Sequence, residues 1–114
     1  MTANADLLGE FELLVLLAVL RLGDEAYGAS ILEEIARRTR RPVARGSVYI
    51  TLDRLQAKGL LGSERGDPTP IRGGRAKRYF KLKPRGLRVL KRTLADLGRL
   101  QEGLAPILQG LEGA

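Results

Sequence analysis

The 114-residue sequence contains no cysteine and no histidine. The lack of cysteine excludes disulfide bonds, thiolate metal sites and cysteine nucleophiles. The lack of histidine removes the commonest general base and the commonest metal ligand. We therefore expect a protein that is not an enzyme, with no catalytic residues, no bound metal and no cofactor.

Long apolar runs are also missing. The longest, Leu13–Leu20, has eight residues, whereas a membrane-spanning helix needs about twenty. The acidic residues Asp6, Glu10 and Glu12 precede this run, although a signal peptide would carry positive charge there. The sequence therefore predicts a cytoplasmic protein with no membrane partner.

Acidic residues are scarce in the middle of the chain. Residues 37–92 carry eighteen lysines and arginines and three acids, whereas residues 1–36 carry one arginine and seven acids. The net charge of the whole chain is +7. A basic middle between acidic ends indicates a polyanionic partner such as nucleic acid.

The spacing of apolar residues predicts three helices in the first half of the chain. Asp24 is the candidate N-cap of the second helix, and Gly23 and Gly59 are expected to end the first and the third. The predicted ranges are 6–22, about 25–39, and 45–58.

Two strands and a final helix follow. Residues 60–65 and 75–82 are expected to pair as a hairpin around a loop rich in proline and glycine. Pro84 suits the first position of the last helix, which Gly103 and Pro106 should kink or break. The predicted fold class is therefore mainly α with a small β-hairpin, α+β.

The first and last helices have apolar surfaces that one small domain cannot cover. The first is apolar nearly all round, and the last carries a leucine seam with steps of three and four residues, which is typical of helix pairing. We expect two copies of the chain to pair through these surfaces. The residues assigned to this interface are Leu7, Leu8, Phe11, Leu14, Leu87, Leu90, Leu94, Leu97, Leu104 and Leu108.

The third helix has a face suited to a DNA major groove. Val48, Leu52 and Leu55 share one side, and the other carries small, methyl-bearing and cationic side chains that can reach base edges. An ordinary surface helix is the alternative, but an exposed Ile50 between polar residues then needs a reason. The DNA contacts predicted from this helix are Arg45, Ser47, Tyr49, Ile50, Thr51, Arg54 and Lys58.

The second strand lies in the stretch GGRAKRYFKL, which has four cations and no acid. Strand alternation lets Phe80 and Leu82 anchor one face to the core. The cations then lie against phosphates, because a polyanion relieves their mutual repulsion. The alternative is an edge strand kept cationic against aggregation, which needs only one or two lysines. The DNA contacts predicted here are Arg72, Arg75, Lys77 and Arg78.

Two pairs of acids, Glu10 with Glu12 and Glu33 with Glu34, have the spacing of acid–base pairs. Because the chain offers neither histidine nor cysteine to work with them, we expect these acids to lie on solvated helix faces.

Three stretches of the chain resemble the PadR family of transcriptional regulators. LGEFELLVLLAVLRLGDEAYGASILEEI resembles the family's first two helices, and GSVYITLDRLQAKGLL resembles its recognition helix. GGRAKRYFKLKPRG resembles its wing and the entry to its last helix. The single short C-terminal helix is similar to that of the smaller of the family's subgroups.

The resemblance implies a winged helix-turn-helix over residues 1–83 and a C-terminal dimerisation helix over residues 84–114. It implies a homodimer that binds double-stranded DNA, usually as a repressor, with room for a small-molecule effector at the dimer interface. A two-fold dimer would read an inverted-repeat operator.

Two other functions stay open from the sequence. A winged-helix adaptor would bind an acidic protein and would not be retained on DNA at physiological salt. An RNA-binding protein would stack bases on exposed aromatic side chains, for which Tyr49 and Tyr79 are the candidates.

Overall fold

The computed structural model describes residues 7–66 and 77–112. Strands β1 (Leu61–Arg65) and β2 (Arg78–Leu82) form an antiparallel hairpin in which Leu61 lies opposite Leu82 and Arg65 lies opposite Arg78. The fold is mainly helical with one small hairpin, which confirms the predicted α+β class. The elements in chain order are α1 (Glu10–Leu22), α2 (Gly28–Thr39), α3 (Arg45–Ala57), β1 (Leu61–Arg65), β2 (Arg78–Leu82), α4 (Pro84–Gln101) and α5 (Ala105–Glu112).

One apolar core lies where α1, α2, α3, the hairpin and the first half of α4 meet. The predicted inner face of α3 is buried in it, together with Ile31 and Ile35 of α2 and with Phe80, the predicted anchor of the hairpin. Burial of a large apolar side chain contributes about 1.5–3 kcal/mol. The largest fully buried side chains are Val15, Leu16, Ile31, Val48, Leu52, Leu55, Leu60, Leu61 and Leu90.

Helix α2 begins three residues later than the sequence indicated, so the assignment of Asp24 as its N-cap was wrong. Residues Gly23–Glu25 form a single 3-10 turn. Ala26 is extended, because its carbonyl accepts a hydrogen bond of 2.8 Å from the backbone N–H of Phe80 in β2. The chain therefore serves as an edge of the sheet before the helix starts, and Ser30 Oγ accepts the Tyr27 N–H in place of an aspartate cap.

The last helix is interrupted where it was predicted to break. Helix α4 ends at Gln101, and α5 begins at Ala105. Gly103 lies between them with φ = 77°, a conformation that glycine adopts without steric cost. Pro106 falls in the first turn of α5, where proline is tolerated because no backbone N–H is needed.

Two of the four acids expected on solvated faces are buried, which corrects that prediction. Glu34 accepts hydrogen bonds from Arg37 and Arg38 within α2. Glu12 lies against the end of α3, where Lys58 pairs with it. Glu10 is exposed as expected, although Arg41 donates two hydrogen bonds to it.

Within residues 7–66 and 77–112, no helix has both the length and the apolar character that crossing a membrane requires.

Candidate nucleic-acid interface

The outward face of α3 is built as an exposed surface on a rigid base. Val48, Leu52 and Leu55 are fully buried beneath it. Ile50 is 62% exposed on the outside, and Arg45, Ser47 and Arg54 are exposed as well. The opposite side of α3 is packed in the core, so the helix cannot turn to bury Ile50. The isoleucine is therefore available to a partner.

A shallow hollow of about 430 Å³ lies beside this face. Ser47, Ile50 and Arg54 line it from α3. The opposite wall comes from Phe11 of α1 and from the turn between α2 and α3, at Val43. The hollow therefore joins the residues predicted to contact bases to the turn of the helix-turn-helix.

Thr51 does not belong to the outward face, although it was predicted to contact DNA from there. Its exposure is 5%. Thr51 lies three residues after Val48 and four before Leu55, so the helical repeat places it on the buried stripe. The inner face of α3 is wider than the three apolar residues indicated.

Lys58 was also predicted to contact DNA, but its side chain is half-buried and paired within the protein. Its Nζ donates a 2.8 Å hydrogen bond to Glu12 Oε2, and its carbonyl accepts one of 2.7 Å from Arg85 Nη1. Burial alone would raise the pKa of Glu12, but the hydrogen bonds from Lys58 and from the Gly9 N–H outweigh it and hold that pKa below its ordinary value. Lys58 therefore joins the end of α3 to α1.

Tyr49 lies across the start of α2. A Cβ added to Gly28 would be 2.4 Å from the Tyr49 hydroxyl oxygen, so only glycine allows the ring to rest there. The ring is still 45% exposed. No local sequence pattern predicts this contact, because Gly28 and Tyr49 lie on different helices.

The hairpin carries its cations next to an aromatic cluster. Tyr27 and Tyr79 meet edge to face, with ring centroids 5.6 Å apart. The Nζ of Lys77 lies 4.2 Å from the centre of the Tyr27 ring, and Lys77 is exposed. The predicted contacts Arg72 and Arg75 lie outside the described residues.

Arg78, which was predicted to contact DNA, has a side chain that is 52% exposed and that also bonds within the protein. Its guanidinium donates to the Gln56 side-chain oxygen of α3 and to Ser63 Oγ of β1 at 3.2 Å. Asp53 Oδ1 lies 3.7 Å from its Nη1. Sequence reasoning missed this cluster because its members come from three separate elements.

The surfaces predicted to pair two copies are largely exposed in the single chain. Leu90 is 1% exposed and packed in its own core, so it offers no surface to a second copy. Leu8, Phe11 and Leu14 are partly buried against the same core. Exposed members of the predicted interface are Leu7, Leu87, Leu94, Leu97, Leu104 and Leu108.

The exposed apolar surface extends beyond the predicted seam. Leu100, Ile107 and Leu111 are 76%, 56% and 68% exposed.

Within residues 7–66 and 77–112, no group of three histidine, cysteine, aspartate or glutamate residues is arranged to hold a metal ion. The described residues therefore present a cationic, partly apolar face on α3 and the hairpin, and a row of exposed apolar side chains on α4 and α5.

Known proteins share both the sequence and this architecture. The chain is 38% identical over 79 residues to the transcriptional regulator Rv3488 of Mycobacterium tuberculosis, covering 67% of this chain and 69% of that protein. A PadR-like transcription factor from Bacteroides fragilis superposes with a TM-score of 0.67 at 28% identity, covering 85% of this chain and 88% of that one.

A second crystal structure agrees. A PadR family transcriptional regulator from Eggerthella lenta superposes with a TM-score of 0.65 at 30% identity, covering 83% of this chain and 80% of that one. The profile of the transcriptional regulator PadR-like family matches residues 16–92. This chain belongs to the PadR-like family of transcriptional regulators, and it is therefore a DNA-binding regulator rather than an enzyme.

Proposed function

We propose that this protein is a cytoplasmic homodimeric repressor that reads an inverted-repeat operator with α3 and grips the DNA backbone with the hairpin. The observation that carries the proposal is the exposed outward face of α3. Ile50 is 62% exposed there, between Ser47 and Arg54. The face presents a methyl-rich tip and a guanidinium, which can contact thymine methyls and guanine edges in a major groove.

The two parts of the interface have different tasks in this proposal. Side chains of α3 select the sequence. These are Arg45, Ser47, Tyr49, Ile50 and Arg54. Lys77, together with Arg72 and Arg75 outside the described residues, contacts phosphates and supplies affinity for any duplex, because phosphate contacts carry no direct sequence information.

The two-copy arrangement rests on the exposed apolar seam. Leu94 and Leu97 are 41% and 39% exposed on α4, and Leu108 is 57% exposed on α5. Exposed apolar side chains in this number mark an interaction site. In the proposed division, residues 1–83 bind DNA and residues 84–114 dimerise. An effector at the dimer interface remains a prediction.

The direct test of sequence reading is Arg54→Ala, measured on a duplex that the protein enriches from a random pool and on random duplex. The variant should lose about 1–3 kcal/mol on the enriched duplex and much less on the random one. Arg21→Ala is the matched control, because Arg21 is exposed at the end of α1 and its loss changes the net charge equally.

The other outcomes separate the competing functions. Equal losses on both duplexes would contradict base reading by Arg54. No retention of the parent protein on any duplex at physiological salt would favour a protein adaptor, and a preference for single-stranded RNA would favour RNA binding. Repression is tested by transcription in vitro from a promoter that overlaps the enriched duplex, where added protein should reduce the transcript.

A further inference from the structure

We propose that Arg78 is a positioning residue that locks the hairpin to α3, so that both meet the DNA at one fixed angle. The inference rests on the proposed function, since it assigns Arg78 a part in DNA binding without a contact to DNA. It replaces the phosphate contact that the charge of Arg78 and its place in β2 suggested.

The side chain of Arg78 is engaged in a hydrogen-bonded cluster across three elements. From β2 it donates to Gln56 in α3 and, through Nε, to Ser63 Oγ in β1 at 3.2 Å. Gln56 Nε2 donates in turn to the same Ser63 oxygen at 2.9 Å. Arg78 and Gln56 thus both donate to Ser63 Oγ and are also bonded to each other. These three hydrogen bonds join β2, α3 and β1.

Charge and ring contacts fix the guanidinium further. Asp53, one turn before Gln56 on α3, lies 3.7 Å from Arg78 Nη1. The guanidinium carbon lies 5.2 Å from the centre of the Phe80 ring, and that ring is buried. Arginine can satisfy several acceptors and stack on a ring at once because its donors form a rigid planar fork.

The cluster lies at the end of the hairpin that is farthest from the core, where it can set the angle of the hairpin against α3. Arg78 lies opposite Arg65, in the strand pair farthest from the base of the hairpin at Leu61 and Leu82. Like charges directly opposite each other on a sheet repel, and the carboxylate of Asp53 offsets that repulsion. Ala26 and Tyr27 pair with Phe80 and Tyr79 on the outer edge of β2. Arg78 holds the next strand pair, at the end of the hairpin that leads to residues 67–76.

Lysine is the variant that separates positioning from phosphate binding. A lysine keeps the charge and binds phosphate as a point charge, but it lacks the fork. If Arg78 positions the hairpin, Arg78→Lys should weaken binding to the enriched duplex about three- to tenfold, the range expected for losing a net hydrogen bond. Gln56→Ala, which changes no charge, should weaken binding by a similar factor.

The experiment measures the affinity of Arg78→Lys, Arg78→Gln, Gln56→Ala and the Arg78→Lys/Gln56→Ala double variant across a series of salt concentrations. We expect every slope of affinity against salt to match the parent, and the double variant to bind no worse than either single variant. Lys77→Gln is the control for a phosphate contact and should reduce the slope by about one.

Three results would overturn the inference. Arg78→Lys could bind like the parent while Arg78→Gln reduces the slope by about one, which would make Arg78 a phosphate contact. The losses from Arg78→Lys and Gln56→Ala could simply multiply, which would deny their coupling. If the parent enriches no duplex, the proposed function fails and the inference fails with it. Should thermal unfolding show that the Arg78 variants do not fold, Gln56→Ala carries the test.

Discussion

Gly28 and Gly86 both occupy places where a Cβ has no room, but the two sites differ in what can yield. At Gly28 the obstacle is the tip of the Tyr49 side chain, at 2.4 Å. At Gly86 it is the backbone oxygen of Leu60, at 2.1 Å. A side chain that is 45% exposed can swing away, whereas a carbonyl at the join of α3 and β1 cannot move without shifting the hairpin.

Gly86→Ala is therefore expected to destabilise the fold by about 1–3 kcal/mol, the usual range for overpacking. Gly98→Ala is the matched control on the same helix, since a Cβ there meets nothing within 4 Å. That change should be neutral or stabilising by up to about 1 kcal/mol. Unfolding in urea measures both, and equal stability of the two variants would contradict the close packing of α4 on Leu60.

Residue by residue, the sequence showed which side chains are apolar but not how far each face extends. It correctly predicted that Val48, Leu52 and Leu55 are buried and that Ile50 is exposed. It misplaced Thr51 because a methyl-bearing hydroxyl residue at the border of a stripe fits either side. It missed the pairing of Lys58 because the partner, Glu12, is 46 residues away, and no local pattern records such a pair.

At the scale of elements, one polar chain connects α1, α3 and α4. Glu12 near the start of α1 accepts from Lys58 at the end of α3, and Arg85 in the first turn of α4 caps the Lys58 carbonyl. The side chains of Glu12 and Lys58 are 7% and 27% exposed. Because a partly buried pair is less screened than a surface one, it should contribute measurably to stability.

This pair predicts a specific pH dependence. The pKa of Glu12 in the folded chain lies below its ordinary value of 4.5, so its ionised form stabilises the fold above about pH 4.5. That contribution is lost as the pH falls through the lowered pKa. The stability difference between the parent and Glu12→Gln should therefore be largest at neutral pH and shrink in acid.

Glu33→Gln is the control for this pH dependence, because it removes one carboxylate from an exposed position on α2. Its stability profile should follow the parent across the pH range. A difference between the parent and Glu12→Gln that stayed constant from pH 7 to pH 3 would contradict the role given to the ionised carboxylate. Lowered pKa values at Glu10 and Glu34 affect the parent and both variants alike.

The order and type of the helices and strands could be predicted from the spacing of apolar residues and from the glycines and prolines that end or begin them. Helix α3, the end of α1, the hairpin, the start of α4 at Pro84 and its break near Gly103 all follow those signals, whereas α1 begins at Glu10 and not at residue 6. The start of α2 could not be predicted, because Asp24 is a good cap by local rules. The extended pairing of Ala26 with Phe80 overrides it, and that contact joins residues 54 positions apart in the chain.

For the whole molecule, the proposed dimer depends on the apolar surface of α4 and α5. Replacing Leu94 and Leu97 together with arginine would place charges in a seam that must lose its water on pairing. Both side chains are already about two-fifths exposed in the single chain, so the protomer should stay folded. We expect the double variant to sediment as a monomer and to lose its preference for the enriched duplex.

The matched control for the dimer is Arg88→Ala together with Lys91→Ala, which alters exposed positions of the same helix without adding charge to the leucine seam. This variant should sediment like the parent. A parent that sediments as a monomer at micromolar concentration, yet binds its duplex tightly, would contradict the interface.

The most direct test of the central claim is the sequence that the purified protein enriches from a pool of random duplexes. If two copies each place α3 in a major groove, the enriched duplexes should contain inverted repeats whose half-site centres lie about 10 base pairs apart, or a multiple of one helical turn. Two protomers should bind each duplex. Enrichment of a single unrepeated site bound by one protomer, or no enrichment at all, would contradict the account.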